Sequence, residues 1–121
     1  MNAQLKPRLK PEEAQVLATA FLKAGKELGL NQSVLEVIID RNRSSIGRGG
    51  IDPETKSGEL ALLLIRAYRS LFVLMGGNGA QIKHWMQTPN LHTGGVPAEQ
   101  VRSIPGLVKV VEYLDAMCGK A

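Results

Sequence analysis

Apolar residues recur at every third or fourth position along most of the chain, which is the spacing of amphipathic α-helices. The first such segment begins at Pro11, a residue suited to the first turn of a helix, and ends at Gly29. Asn31 is predicted to cap a second helix, and Asn42 to cap a short third helix that Gly49 ends. Three helices with a tight turn between the second and the third indicate a helix-turn-helix unit.

The second half of the chain has the same helical periodicity. A long helix is predicted from Asp52-Pro53 to Met75, where a pair of glycines ends it. Asn78 is predicted to cap the next helix, and Pro97 and Pro105 to open two more. No segment alternates between apolar and polar residues as a half-buried strand does. The chain is therefore predicted to be all-α, with an N-terminal helix-turn-helix bundle followed by a small helical domain.

The chain has 121 residues, enough for one compact domain or for two very small ones that share a core. Residues 1–10 are polar and include several basic residues, so we expect a flexible arm there. We assign residues 11–50 to the helix-turn-helix unit and residues 51–121 to the second domain.

The helix predicted from Asp52 is unusually apolar, since thirteen of the sixteen residues at 60–75 are apolar. A helix that is apolar nearly all round is normally buried on most sides. In so short a chain this requires either wrapping by the other helices or a second copy of the chain. We expect a two-fold homodimer whose contact includes Leu64, Tyr68 and Phe72.

Composition excludes several classes of protein. Apolar residues make up 44% and charged residues 21%, which argues against general disorder, and aromatics at 4% are too few for base-stacking platforms. The single cysteine, Cys118, cannot form a disulfide within the chain and fits a reducing compartment. The first residues have no apolar run typical of a secretory signal, and Arg66 and Arg69 interrupt the longest apolar stretch. We expect a cytoplasmic protein without a membrane contact.

The net charge of +4 is compatible with nucleic acid or with an acidic partner. Three arginines and no acid lie within residues 41–48. Arginines suit phosphates and guanine edges, and serines can donate hydrogen bonds to either. The alternative is a solvated face of a helical bundle, and Gly47 weakens the third helix. The residues predicted to contact DNA are Gln32, Arg41, Arg43, Ser44, Ser45 and Arg48.

The stretch "HWMQTPNLHTGGVPAEQV" holds both histidines and the only tryptophan. His84 and His92 are separated by a proline and have no further ligands nearby in sequence, so packed or exposed histidines are expected rather than a zinc site. The glycine clusters match neither a phosphate-binding loop nor a dinucleotide fingerprint. Cys118 has no obvious partner base. We therefore expect no enzyme, no metal and no cofactor.

The segment "ALLLIRAYRSLFVLMGGNGAQIKHWMQTPNLHTGGVPAEQVRSIPGLVKVVEYLDAM" resembles the toxin-binding domain of the Xre/MbcA/ParS antitoxin family. The resemblance covers about residues 59–119. It is carried by the apolar helix ending at Leu71-Phe72, by Trp85-Met86, by Pro89-Asn90, by the turn at 95–97 and by the last helix. The N-terminal half resembles the Xre-type helix-turn-helix that precedes this domain in the same family.

The resemblance implies an antitoxin of a type II toxin–antitoxin system. Its expected partners are a RES-domain toxin that acts on NAD, the DNA of its own promoter, and a second copy of itself. Binding to the promoter is expected to repress transcription of its own operon. Trp85 is expected to anchor the core and Asn90 to shape a fixed turn of the toxin-binding part. Lys120 and Ala121 are expected either to reach the active site of the toxin or to form a frayed tail. The alternatives are a stand-alone helix-turn-helix regulator without a toxin and an enzyme.

Overall fold

The computed structural model of the protein describes residues 11–119. In that range it contains seven α-helices and no strand, which confirms the predicted all-α class. The expected arm at residues 1–10 lies outside the described residues. The helices are α1 (Pro11–Glu27), α2 (Gln32–Ile39), α3 (Arg43–Gly49), α4 (Lys56–Leu74), α5 (Gly79–Gln87), α6 (Pro97–Gln100) and α7 (Ile104–Met117).

Asparagine side chains cap three of these helices, as the sequence predicts. The Oδ1 atom of Asn31 accepts a hydrogen bond from the backbone N–H of Val34 at 3.0 Å. Asn42 and Asn78 do the same at the starts of α3 and α5, at 2.8 and 3.0 Å. Each bond satisfies a backbone donor that has no acceptor within its own helix.

The predicted start of α4 at Asp52-Pro53 is wrong by one short turn. Asp52 accepts the backbone N–H of Glu54 on its own Oδ1 at 2.9 Å, which holds residues 52–55 in a turn. Thr55 is the actual cap, because its Oγ1 accepts the N–H of Gly58 at 3.1 Å. Similarly, Ser103 caps α7 and Pro105 occupies the second position of that helix.

Helix α4 lies at the centre of the fold and packs against α1 on one side and α7 on another, with α2 across its first turns. One continuous apolar cluster joins side chains from both halves of the chain. The predicted segments 11–50 and 51–121 thus share one core. Their division into a helix-turn-helix unit and a second domain stays a prediction. The largest fully buried side chains include Phe21, Leu28, Ile39, Ile46, Leu64, Leu71, Ile82, Met86, Leu107 and Leu114.

The three residues predicted to form a dimer contact differ in exposure. Leu64 is completely buried within its own chain, so its predicted contact with a second copy is wrong. Leu64 lies on the side of α4 that faces the neighbouring helices. Helical periodicity cannot predict which side of α4 faces inward, because this segment is apolar on all sides. Tyr68 is partly buried, and Phe72 is 46% exposed. The Tyr68 and Phe72 rings meet edge to face with their centroids 6.0 Å apart.

Within residues 11–119, no single helix is long and apolar enough to cross a membrane, although α4 and α5, bent by 119° where they meet, pass that test as a pair.

Candidate functional site

The turn between α2 and α3 contains Asp40 in the left-handed conformation, with φ 56°. No other non-glycine residue among positions 11–119 has a positive φ. Glycine is the usual residue in this conformation, and aspartate is one of the few side chains that tolerate it. The backbone N–H of Arg41 donates to the carbonyl of Glu36 at 3.2 Å and closes the turn. Asp40 therefore allows the tight turn where many helix-turn-helix units have glycine.

Arg41 is engaged with its own chain. Its guanidinium donates to the Ser45 Oγ at 2.9 and 2.6 Å, to the Ser45 carbonyl at 2.8 Å and to the Gly50 carbonyl at 2.7 Å. Both Arg41 and Ser45 are partly buried. All three guanidinium nitrogens are thereby used to hold α3 against the turn that precedes it. Arg41 and Ser45 thus have a structural role within the chain, and the DNA contact predicted for them stays a prediction.

The outer face of α3 is formed by the other predicted residues. Arg43, Ser44 and Arg48 are exposed, as expected, and Gly47 lies between them on the same face. A Cβ atom placed on Gly47 would meet no atom within 4 Å, so this glycine is not needed for packing. The N-terminus of α3 is already capped, because the backbone N–H of Arg43 donates to the Glu36 carboxylate at 2.9 Å.

Gln32 and Arg43 line a groove of about 430 Å³ between α1, α2 and α3. Lys26, near the end of α1, lines the same groove. The Nε2 atom of Gln32 is buried and, among the described residues, has no hydrogen-bond partner. The groove thus has two cations in its lining, and such groups suit a phosphate. Lys26 was missed from the sequence because nothing local shows that the end of α1 reaches the start of α3.

The C-terminal half contains a second candidate surface, built around the turn at residues 90–95. The Oδ1 atom of Asn90 accepts the backbone N–H groups of His92 at 2.8 Å and Thr93 at 3.1 Å. The Asn90 N–H donates to the Gly95 carbonyl at 2.8 Å in an isolated antiparallel bridge. Gln100 donates from its Nε2 to the Thr93 carbonyl at 2.5 Å. Asn90 therefore shapes a fixed turn, as predicted.

Three rings stack beside this turn. Tyr113 of α7 stacks with both Trp85 and His92, with centroid distances of 6.3 and 5.6 Å and planes within 10° of parallel. Trp85 is partly buried and packs against the core from outside, so it anchors the edge of the core rather than its interior. Tyr113 was not singled out from the sequence, because its contact with His92 joins residues on different elements.

His84 is exposed on α5 and does not join His92 in this stack. Among residues 11–119, no group of three or more histidine, cysteine, aspartate or glutamate side chains is placed to hold a metal ion. His92 therefore has a structural role, because its ring packs on Tyr113 and holds the turn against α7.

The end of α7 is held to the centre of the fold. The Cys118 thiol donates to the Ser70 carbonyl of α4 at 3.5 Å, and Gly119 follows with φ 76°. A left-handed glycine ends a helix and redirects the chain. Lys120 and Ala121, predicted to contact a toxin, lie outside the described residues.

Residues 69–120 match the family model of the C-terminal toxin-binding domain of Xre/MbcA/ParS antitoxins. The C-terminal part of the chain is thus similar to this domain. The toxin-binding domain begins at Arg69, within α4, and includes α5, α6, α7 and both the turn and the ring stack. The match confirms the resemblance, supports assignment of the chain as an antitoxin of a toxin–antitoxin system, and indicates a regulatory role. No curated protein matches the chain.

Proposed function

We propose that this chain is an antitoxin that binds and blocks a RES-domain, NAD-consuming toxin and represses its own promoter as a cytoplasmic homodimer. The toxin-binding domain at residues 69–120 carries the proposal. The choice of a RES-domain partner rests on the resemblance of residues 59–119 together with the Xre-type segment that precedes them.

Promoter binding is supported by the α3 face. Arg43 and Arg48 are exposed on either side of Gly47, so a nucleic-acid backbone or base edge can approach the helix closely between two cations. The groove with Lys26 and Gln32 lies next to this face and suits a neighbouring phosphate. Arg43 lines the groove and belongs to the face, so one contact with DNA engages both.

A homodimer is supported by the apolar side chains that α1 and α4 leave uncovered. Val16 is 67% exposed, Leu62 48%, Phe72 46% and Val73 71%. Two adjoining grooves of about 680 and 540 Å³ run between these helices and share Ile65. Contiguous apolar patches on small proteins commonly mark interfaces, and a two-fold contact pairs such a patch with itself.

Inhibition is assigned to the end of the chain. Helix α7 is held firmly by its buried stripe, and Gly119, with φ 76°, ends it. A lysine suits a cleft that binds a charged dinucleotide. Covering that cleft is sufficient to exclude NAD from the toxin.

Copurification tests the proposed function. The tagged chain is coexpressed with the product of the adjacent gene, and the complex is isolated and assayed for NAD consumption. We expect a stable complex in which NAD consumption is suppressed and restored when the toxin is separated. A chain that binds its promoter but does not bind that protein would instead be a stand-alone regulator, and the antitoxin proposal would be wrong.

A further inference from the structure

Leu91 is 97% exposed, the highest value for any large apolar side chain among residues 11–119. Single exposed apolar residues are common on soluble proteins and need no explanation when they lie on mobile loops or helix faces. Leu91 differs because it lies exposed on a turn whose backbone is fixed by hydrogen bonds.

Three sets of contacts hold this turn. The Asn90 side chain accepts two backbone N–H groups of the turn, and its own N–H closes the bridge to Gly95. Thr93 is completely buried, and Gln100 binds its carbonyl from α6. The His92 ring lies flat on Tyr113 of α7. The residues on both sides of Leu91 are therefore fixed while its own side chain points into solvent.

The surface around Leu91 continues along α7. A Cβ atom placed on Gly94 would lie 3.4 Å from the Lys109 Nζ, and His92 covers Tyr113 one turn further along the helix. Met117, 55% exposed, follows after another turn, about 6 Å along the axis. The fixed turn, the ring stack and Met117 thus form a strip that leads to the point where the chain leaves α7.

We propose that Leu91 is a rigid docking anchor that enters an apolar pocket on the surface of the toxin. This inference rests on the proposed function, since it concerns how the same partner is held. We assign the toxin as the partner of this strip because the strip lies within the toxin-binding domain and is continuous with the end of α7. A second copy of the chain is proposed to bind elsewhere, at the separate apolar face of α1 and α4.

Rigidity gives the anchor its effect. A side chain presented on a fixed backbone loses little conformational entropy when it is buried, so most of the free energy of desolvation contributes to affinity. In many complexes a few side chains buried near the centre of the interface carry most of the binding free energy. Docking by Leu91 and blocking by the tail are therefore separable, because docking determines affinity while the tail determines whether NAD can enter.

The test uses the full chain and the product of the adjacent gene, with affinity measured by calorimetry or biolayer interferometry. Leu91→Asp is expected to weaken toxin binding at least about tenfold, and Leu91→Ala to weaken it less. Leu91→Met keeps apolar bulk and is expected to bind within about threefold of the original chain. The matched control is Val37→Asp, the same change at a residue of α2 that is 59% exposed.

Thermal melting and promoter binding identify an indirect effect. Both are expected to stay unchanged in Leu91→Asp, because the Leu91 side chain is 97% exposed. If the original chain binds the toxin and Leu91→Asp binds equally well, the anchor is wrong while the proposed function stands. If Leu91→Asp disrupts the homodimer and leaves toxin binding intact, the occupant is a second copy and the inference is also wrong. If the original chain does not bind the protein at all, the proposed function fails, and the anchor fails with it.

Discussion

Arg66 of α4 and Asp115 of α7 form a two-point ion pair between these two helices. The Arg66 Nε lies 3.1 Å from one carboxylate oxygen of Asp115, and Nη2 lies 2.8 Å from the other. Asp115 is 9% exposed, whereas the Arg66 side chain keeps about half of its surface in solvent. The pair joins the helix shared by both halves of the chain to α7, the last helix of the segment that matches the toxin-binding domain.

Replacing Arg66 by alanine is expected to lower the free energy of unfolding by about 1–3 kcal/mol, because it leaves a largely buried carboxylate without its cation. The partial exposure of Arg66 keeps this value below that of a fully buried pair. Urea unfolding measures the change. The control is Lys56→Ala, which removes an exposed pair with Glu59 at 3.5 Å and is expected to change stability by less than about 1 kcal/mol. Equal losses in the two variants would contradict the role assigned to Arg66.

Replacing both Arg43 and Arg48 by alanine is expected to weaken promoter binding by about 1–3 kcal/mol for each arginine that reads a base. Both side chains are exposed, so thermal melting should not change. Electrophoretic mobility shift with the promoter fragment measures the effect. Arg41→Ala is the contrasting variant, since it removes the bonds to Ser45 and Gly50 and is expected to lower stability. Unchanged promoter affinity in the double variant would remove the α3 face as the DNA contact.

Introducing aspartate at both Phe72 and Val73 is expected to convert a homodimer into a monomer, because two charges would have to be buried in the contact between copies. Sedimentation velocity at micromolar concentration measures the change, and Val37→Asp again serves as a control outside the face. The unaltered chain should sediment as a dimer. A monomer under those conditions would rule out the α1–α4 face as a stable interface.

Deleting residues 118–121 is expected to relieve inhibition of NAD consumption while retaining most of the toxin affinity. The physical reason is that, in the proposed mechanism, the tail covers the cleft of the toxin, whereas the strip around Leu91 provides the affinity. The full-length variant Cys118→Ala controls for loss of the thiol contact with Ser70 and should inhibit normally. Full inhibition by the truncated chain would assign blocking to another surface.

Predictions that depend on neighbours in the sequence agree well with the structure. The caps at Asn31, Asn42 and Asn78 were predictable because an N-cap bond spans three residues. The same local rule misplaced the start of α4, since Asp52 and Thr55 are both able to cap and the aspartate bonds to Glu54 instead. Local patterns thus propose more than one capping residue in such a stretch, and they do not rank them.

The sequence by itself determined the order and approximate bounds of the helices and the resemblance of the C-terminal part to a toxin-binding domain. Only the tertiary structure decided that Leu64 faces inward while Phe72 faces solvent, and that Arg41 is bound internally while Arg43 is exposed. It also brought His92 onto Tyr113 and left Leu91 outermost on the turn. The physical reason is range: helices and caps depend on hydrogen bonds across three or four residues, whereas exposure depends on which distant elements pack together.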